Sequence, residues 1–149
     1  MLAGSQCVDG LSVTVAGGVG KWKLSGGYTH LDSKVTKSAA GAAPVGSPLA
    51  NAPDDTFTAW AAYTVSSRID FGVGARYVSD QLAQNVPPIK AVDSYWAFDA
   101  MGRYRVSSKV TLKLNLTNIT GEYYFDQLHP FHVVPGPGFT AMLAANMLL

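Results

Sequence analysis

Seven stretches of this chain alternate apolar and polar side chains with a period of two, each over about ten residues, and no other feature restricts the fold as tightly. The clearest is Val110–Thr117. There Val110, Leu112, Leu114 and Leu116 point one way, and Thr111, Lys113, Asn115 and Thr117 the other. Similar stretches run over 10–19, 21–32, 56–65, 69–79, 96–106 and 139–149. None reads better at the helical period. Successive strand residues point to opposite faces, so each stretch predicts a strand with one greasy and one hydrophilic side.

The length of the stretches matters as much as their period. Strands of soluble domains average about five or six residues, whereas a tilted strand needs roughly 9–11 to cross a bilayer. The connections also alternate in kind. Residues 17–20, 66–68 and 107–109 are tight turns, while 33–55, 80–94 and 120–138 are long, polar and rich in Gly and Pro. Short turns at one end and long loops at the other is the arrangement of outer-membrane barrels. A soluble meander has no reason to keep its long loops together.

Composition agrees. Only 14% of residues are charged, against roughly 25% in soluble domains. No apolar run approaches the roughly 20 residues of a spanning helix. Tyr28, Tyr77, Tyr95, Trp96, Tyr123 and Tyr124 fall toward the long-loop ends of strands, and Trp22, Tyr63 and Tyr104 toward the short-turn ends. Two belts of amphipathic rings are expected at the two membrane interfaces. Cross-strand aromatic pairs in a soluble sheet are the alternative account. The net charge of +1 gives no reason to expect nucleic acid. The first ten residues lack the basic and apolar regions of a signal peptide. Cys7, the one cysteine, has no partner for an internal disulfide and nothing nearby to activate it.

Few residues offer chemistry. Asn115 and Asn118 each begin an N-x-[ST] triplet, but a lumen-facing strand residue and its strand-end neighbour are poor glycan acceptors. His129, His132 and Asp126 share the last long connection with a spacing that matches no metal motif, so no metal or cofactor is expected. His30 and the scattered serines form no nucleophile–base pair, and GVGARY (Gly72–Tyr77) continues as a strand rather than opening a helix. The chain is therefore not expected to be an enzyme. Arg76, Arg103, Arg105 and Lys113 point to the polar side, solvated or paired with Asp70 and Asp99.

The wording of the strands carries a resemblance. In order along the chain stand VDGLS (Val8–Ser12) before Ala16 and Gly17, then WKLSGGYTHLD (Trp22–Asp32), NAP (Asn51–Pro53) and TAW (Thr58–Trp60) leading to Tyr63. There follow GVGARY, Tyr95 with Asp99, YRVS (Tyr104–Ser107), VTLKLNLTNIT (Val110–Thr120) with Tyr123 and Tyr124, and PGP (Pro135–Pro137). This resembles the C-terminal part of TonB-dependent outer-membrane receptors, most of all those for ferric siderophores, and the resemblance covers essentially the whole chain.

The resemblance implies an all-β, antiparallel, up-and-down transmembrane β-barrel. Residues 1–149 would supply the last seven strands of a 22-stranded barrel, with the plug domain and the TonB-contacting segment absent. It implies the Gram-negative outer membrane, membrane lipid, the barrel-assembly machinery, a ferric siderophore as ligand, and TonB acting through the missing N-terminal part; no nucleic acid is implied. Iron would arrive wrapped in its chelator, so the protein need not ligate it. Arg76, Tyr123 and Tyr124 become candidate ligand residues, the tyrosines being girdle residues otherwise, and Arg103, Arg105 and Lys113 become candidates to face the plug. Two departures stand out: the chain ends in leucine where the family has an aromatic, and Asp55 stands where relatives often carry His.

Residues 1–9 are expected to end an extracellular loop. An open seven-strand sheet leaves two edges, which self-association, or closure by residues 2–8 as an eighth strand, would cover; alone, the chain is expected to give no energised uptake. Two other readings are a self-contained small barrel with a structural or adhesion role and a soluble lipocalin-like binder.

Overall fold

A computed structural model describes residues 4–39 and 41–148. Eleven strands and no helix occur among them. Seven form one antiparallel sheet: β1 (Ser5–Val19), β2 (Trp22–Lys37), β3 (Asp55–Thr64), β4 (Ile69–Val78), β7 (Tyr95–Arg105), β8 (Val110–Thr117) and β11 (Thr140–Met147). Each pairs with the preceding and following wall strand in chain order, so the sheet is an up-and-down wall with β1 and β11 as its edges. Two short hairpins, β5 (Gln81–Gln84) with β6 (Lys90–Val92) and β9 (Phe125–Leu128) with β10 (Val133–Pro135), sit in the long connections.

The register keeps the two faces separate across the wall. One row runs Val13, Tyr28, Phe57, Tyr77, Trp96; another runs Leu24, Ala61, Val73, Ala100, Leu116, Ala141. Because the side-chain period is two, a slip of one residue in any strand would break these rows. The apolar face is open: Val15 is 68% exposed and Leu143 70%. Buried side chains instead gather at the long-loop end, among them Val35, Ala43, Ala83, Tyr124 and Leu128. A soluble lipocalin-like domain would hold its core between faces; this wall turns its apolar face outward and has its only packed interior, among the described residues, under the loops.

Aromatic rings border the apolar band. At the long-loop end Trp96 lies 5.0 Å from Tyr77 and 6.0 Å from Phe57, centroid to centroid. At the short-turn end Tyr63 lies 4.7 Å from Trp22 and 5.6 Å from Phe71. Ring pairs at both borders of an apolar band are what a strand wall crossing hydrocarbon is expected to carry.

The structure corrects the expected boundaries at the loop end. Of residues 1–9, expected to end a loop, those from Ser5 onward instead extend β1, paired with β2 as far as Lys37, and residues 1–3 lie outside the described residues. Strand β2 therefore runs five residues past the expected Asp32, because alternation persists through Val35 against Gln6 while side chains turn polar. No makeshift eighth strand closes the wall; residues 5–8 belong to β1, residues 2 and 3 lie outside the described residues, and β11 pairs only with β8. A self-contained barrel is not what the strands build. The expected place of Leu149 in the last strand likewise falls outside the described residues.

The long connections are tied to each other. The Asn51 N–H donates to the Leu82 carbonyl (2.8 Å) beside a bridge between Ala50 and Leu82, joining the first connection to the second. Lys90 Nζ donates to the Pro130 carbonyl (2.6 Å), joining the second to the third.

Candidate functional site: the polar face of the wall

The polar face lies opposite the apolar band, and strand phase decides which side chains occupy it. Near mid-height Trp60 lies flat on β4. A Cβ on Gly72 would fall 2.8 Å from the Trp60 ring, and one on Gly74 would also collide with it, so the ring rests where only glycine leaves room. Beside it runs an open groove of about 430 Å³, lined by Thr14, Gly27, Thr58, Trp60, Arg76 and Asp99 among others.

Arg76 stands at the long-loop end of this groove. Its guanidinium donates to the Tyr124 hydroxyl (3.0 Å) and lies 5.4 Å and 5.9 Å from the centroids of Tyr124 and Tyr95. The two rings stack at 4.3 Å. This is a cation held by two aromatic faces, with Nε buried and unpartnered. Tyr124 is 4% exposed because its ring packs on Gly136, where any side chain would clash, and Gly136 N–H bonds back to the Tyr124 carbonyl (2.8 Å).

The structure thus separates neighbours that the sequence treats alike. Tyr124 joins Arg76 on the polar face, and so does Tyr95, which β7 directs opposite to Trp96. Neither belongs to the outer belt. Tyr123 is 73% exposed and meets only Phe125 edge-on among aromatic rings.

Asn118 anchors the same end. Its side chain is fully buried, donating to the carbonyls of Glu122 (2.8 Å) and Pro137 (3.0 Å) and accepting from Glu122 N–H (2.9 Å). Its backbone sits at φ 50°, a left-handed value that Asn tolerates better than most residues. Asp99 accepts the Asn118 N–H (2.8 Å), so it caps a turn rather than pairing with an arginine. No glycan can be attached to a side chain in that position. Asn115 lies on the polar face of β8 opposite Met101, as phase requires.

At the short-turn end Arg103 Nε donates to Asp70 (2.7 Å), and a second guanidinium nitrogen binds the same oxygen. Asp70 also accepts from the Thr64 hydroxyl (2.8 Å). Arg105 donates to the Ser67 carbonyl (2.6 Å), and Lys113 makes no hydrogen bond or ion pair among the described residues. Arg103 and Arg105 are thus far from Arg76, so the sequence candidates form two clusters at opposite ends of one face. In the third connection His129 and His132 stack at 4.6 Å across a hairpin tip, and no group of three or more metal-ligating side chains occurs among the described residues.

Residues 3–119 match the model of the family described as TonB dependent receptor-like, beta-barrel. The chain belongs to this family. Among curated relatives, it is 34% identical to a protein of Acinetobacter baumannii named a probable TonB-dependent siderophore receptor, PiuA, with 96% of this chain and 21% of the relative aligned. It is 32% identical to a probable TonB-dependent receptor, BfrD, of Bordetella pertussis, over 97% of this chain and 21% of that one. The crystal structure of PiuA superposes with a TM-score of 0.87 at 33% identity, covering 97% of this chain and 22% of PiuA. The closed form of the ferric-catecholate import receptor Fiu from E. coli K12 gives 0.82 at 30% identity, over 97% of this chain and 21% of Fiu. The chain spans about a fifth of the length of the relatives it matches. The wall is therefore a stretch of TonB-dependent receptor barrel, all-β and antiparallel, and the relatives it matches are transport receptors.

Proposed function

We propose that this chain forms part of the barrel wall of a Gram-negative outer-membrane receptor for TonB-dependent uptake of ferric siderophores. The apolar face meets lipid, the polar face lines the interior, and the long connections stand outside the cell. The single observation that carries the reading is the separation of faces held in register across all seven wall strands, in a chain whose relatives are named as siderophore receptors. In hydrocarbon each unpaired backbone group costs several kcal/mol, so edges β1 and β11 are completed by further strands of the same barrel. The 149 residues alone give no energised uptake.

Arg76 is the residue of this wall that draws an anionic ferric chelate. It stands where the groove opens under the loops, and Tyr124 and Tyr95 hold its charge in place. Tyr123, exposed beside them, contributes to the rim of the vestibule. Arg103, Arg105 and Lys113 face whatever fills the barrel at its other mouth. Energised uptake needs TonB contact, and insertion needs the barrel-assembly machinery, both supplied through the receptor as a whole.

The test is uptake of radiolabelled iron by a strain lacking its own siderophore receptors and expressing the receptor that carries this sequence. Ferric catecholates and ferric hydroxamates are supplied separately. At least one is expected to enter in a TonB-dependent manner, and Arg76→Ala is expected to weaken its binding about tenfold or more, the loss of one charge-assisted contact of roughly 1.5–3 kcal/mol. Uptake of neither class, or binding indifferent to Arg76, would refute the proposal.

A further inference from the structure

Three glycines stand inside β4 and β7: Gly72, Gly74 and Gly102. Trp60 fills the space over the first two. Over Gly102 a Cβ would meet no heavy atom within 4 Å, and the ladders to β4 and β8 pass through it without a register shift. A glycine inside a strand weakens it. Where neither a bulge nor a neighbouring side chain calls for one, close approach by another molecule is the use that remains.

Gly102 belongs to the outward face. Its register partners are Phe71 and Leu114, and Tyr104 follows on the same side toward the short turn. Together with Leu112 and Leu143 they line a hollow of about 380 Å³ whose exposed lining is almost wholly apolar. The lining narrows what can enter. A polypeptide backbone would bring amides that find no partner there. The flanking rows stand two strand spacings apart, roughly 10 Å, and their side chains take part of that width. A helix, about 10–12 Å across, does not fit between them. A thread of methylenes does, and it gains van der Waals contact with the bare floor and both sides, the attraction that remains between apolar groups in hydrocarbon.

Charge sits at the mouth of the hollow. Arg68 directly precedes Ile69 at the start of β4, three residues or roughly 10 Å along the strand from Phe71. Its side chain is exposed and makes no hydrogen bond or ion pair among the described residues. Of the eleven Lys and Arg residues, seven lie at this end, where Lys21, Lys23 and Arg68 join Arg103, Arg105, Lys109 and Lys113. Of the ten carboxylate side chains only Asp70 lies there, and Arg103 takes it. An anionic headgroup is therefore attracted to this rim and finds one guanidinium unclaimed.

We propose that the Gly102 hollow is a phospholipid site, seating one acyl chain of a glycerophospholipid of the periplasmic leaflet whose phosphate rests on Arg68. This rests on the reading that the apolar face meets lipid, and it adds one fixed position and one headgroup charge to that contact. The chain stands in for the side chain that Gly102 lacks, between Phe71 and Leu114.

The probe is phosphatidylglycerol carrying a diazirine in one acyl chain, a minority lipid in phosphatidylethanolamine nanodiscs holding the receptor that carries this sequence. After illumination, label is expected to concentrate on Leu112, Leu114 and Tyr104, several-fold above Leu24 on the same face. Gly102→Leu, whose side chain has open space, is expected to bring it down to the Leu24 level. Arg68→Ala is expected to lower it about fivefold, what one basic side chain contributes near an anionic surface, while Arg68→Lys keeps most of it. Heat-modifiable gel mobility checks that each variant is folded. Even label along the outward face means bulk lipid only; a hollow free of label beside a labelled Leu24 means that a protein surface covers it. Either result, or label unchanged in Gly102→Leu or Arg68→Ala, overturns this inference and leaves the wall reading intact. Label on Lys113 and Asn115 in place of Leu112 and Leu114 overturns both.

Discussion

Asn118 offers the sharpest test of how the loop end is held, because its contribution is decomposable. Its side chain makes three hydrogen bonds, two donated and one accepted, in full burial. At a net of about 1 kcal/mol each, Asn118→Ala forfeits about 3 kcal/mol. Holding alanine at a left-handed φ adds roughly 1 kcal/mol. The sum, about 4 kcal/mol, corresponds to nearly three decades in a local opening equilibrium, since about 1.4 kcal/mol is tenfold. The loss is local, because β7, β8 and β11 keep their own ladders.

Amide hydrogen exchange of the receptor in nanodiscs reads this directly. The reporter is Gly136 N–H, bonded to the Tyr124 carbonyl and not to Asn118 itself. Its exchange is expected to rise at least about a hundredfold in Asn118→Ala, while the Leu114 amide in mid-strand stays at its parent rate. Asn118→Gly loses the same bonds without the backbone strain, so its rise is expected to be about fivefold smaller, the equivalent of roughly 1 kcal/mol. A Gly136 rate within about threefold of the parent in Asn118→Ala would show that the three bonds do not hold the segment. A Leu114 rate that climbs in step with Gly136 would show that the wall and the loops do not open separately.

Two further expectations follow from the faces and the loop-end charges. Leu114→Arg places a cation in the apolar band and is expected to cost about 2–4 kcal/mol near mid-membrane, cutting the yield of heat-modifiable receptor, whereas Lys113→Leu one residue away is expected to be mild; equal harm from both contradicts the assigned faces. Beyond the outer belt, His30 Nδ1 meets Asp55 Oδ1 at 2.9 Å, and the Tyr28 hydroxyl donates to the same oxygen at 2.5 Å. The hydrogen bond to Asp55 raises the His30 pKa above its ordinary value, while the bonds from Tyr28 and then His30 hold Asp55 below the usual carboxylate range. The imidazole contribution is thus complete below the ordinary histidine value and lost as pH rises through the raised one; the carboxylate contribution is present above the ordinary aspartate value and lost as pH falls through the lowered one. The neighbouring Leu31 amide, bonded to the Asp54 carbonyl, is expected to be better protected than in His30→Gln at mildly acidic pH, and the difference to vanish in alkali; an undiminished difference in alkali contradicts the assignment.

How much of this was legible in the sequence depends on how far each force reaches along the chain. The faces of Val110–Thr117 could be read because burial against lipid acts on every second residue, and the residues stand in register as that pattern required. The extension of β2 to Lys37 could not, because past Asp32 the strand leaves the band and nothing selects its outward side chains for apolarity; backbone pairing with residues 5–8 alone carries it on. The same limit explains Tyr123 and Tyr124. Periodicity gives no phase outside a strand, so adjacent tyrosines look equivalent until Gly136 and Arg76 claim one of them. Some signals were present and unread. Gly72 and Gly74, two apart on the polar side of β4 and opposite a strand carrying Trp60, mark a ring lying across the pair. Asn118 closes an alternating strand at the point where a left-handed residue is needed, which accounts for its asparagine without any glycan. The hollow of the polar face lined by Arg103, Arg105, Lys109 and Lys113 was hidden for a different reason: Arg103 and Lys113 are ten residues apart in sequence and become direct neighbours only through the turn after Arg105. A net charge summed along the chain averages away what a sheet sorts by height, so the sum was near neutral while one mouth of the wall was strongly basic.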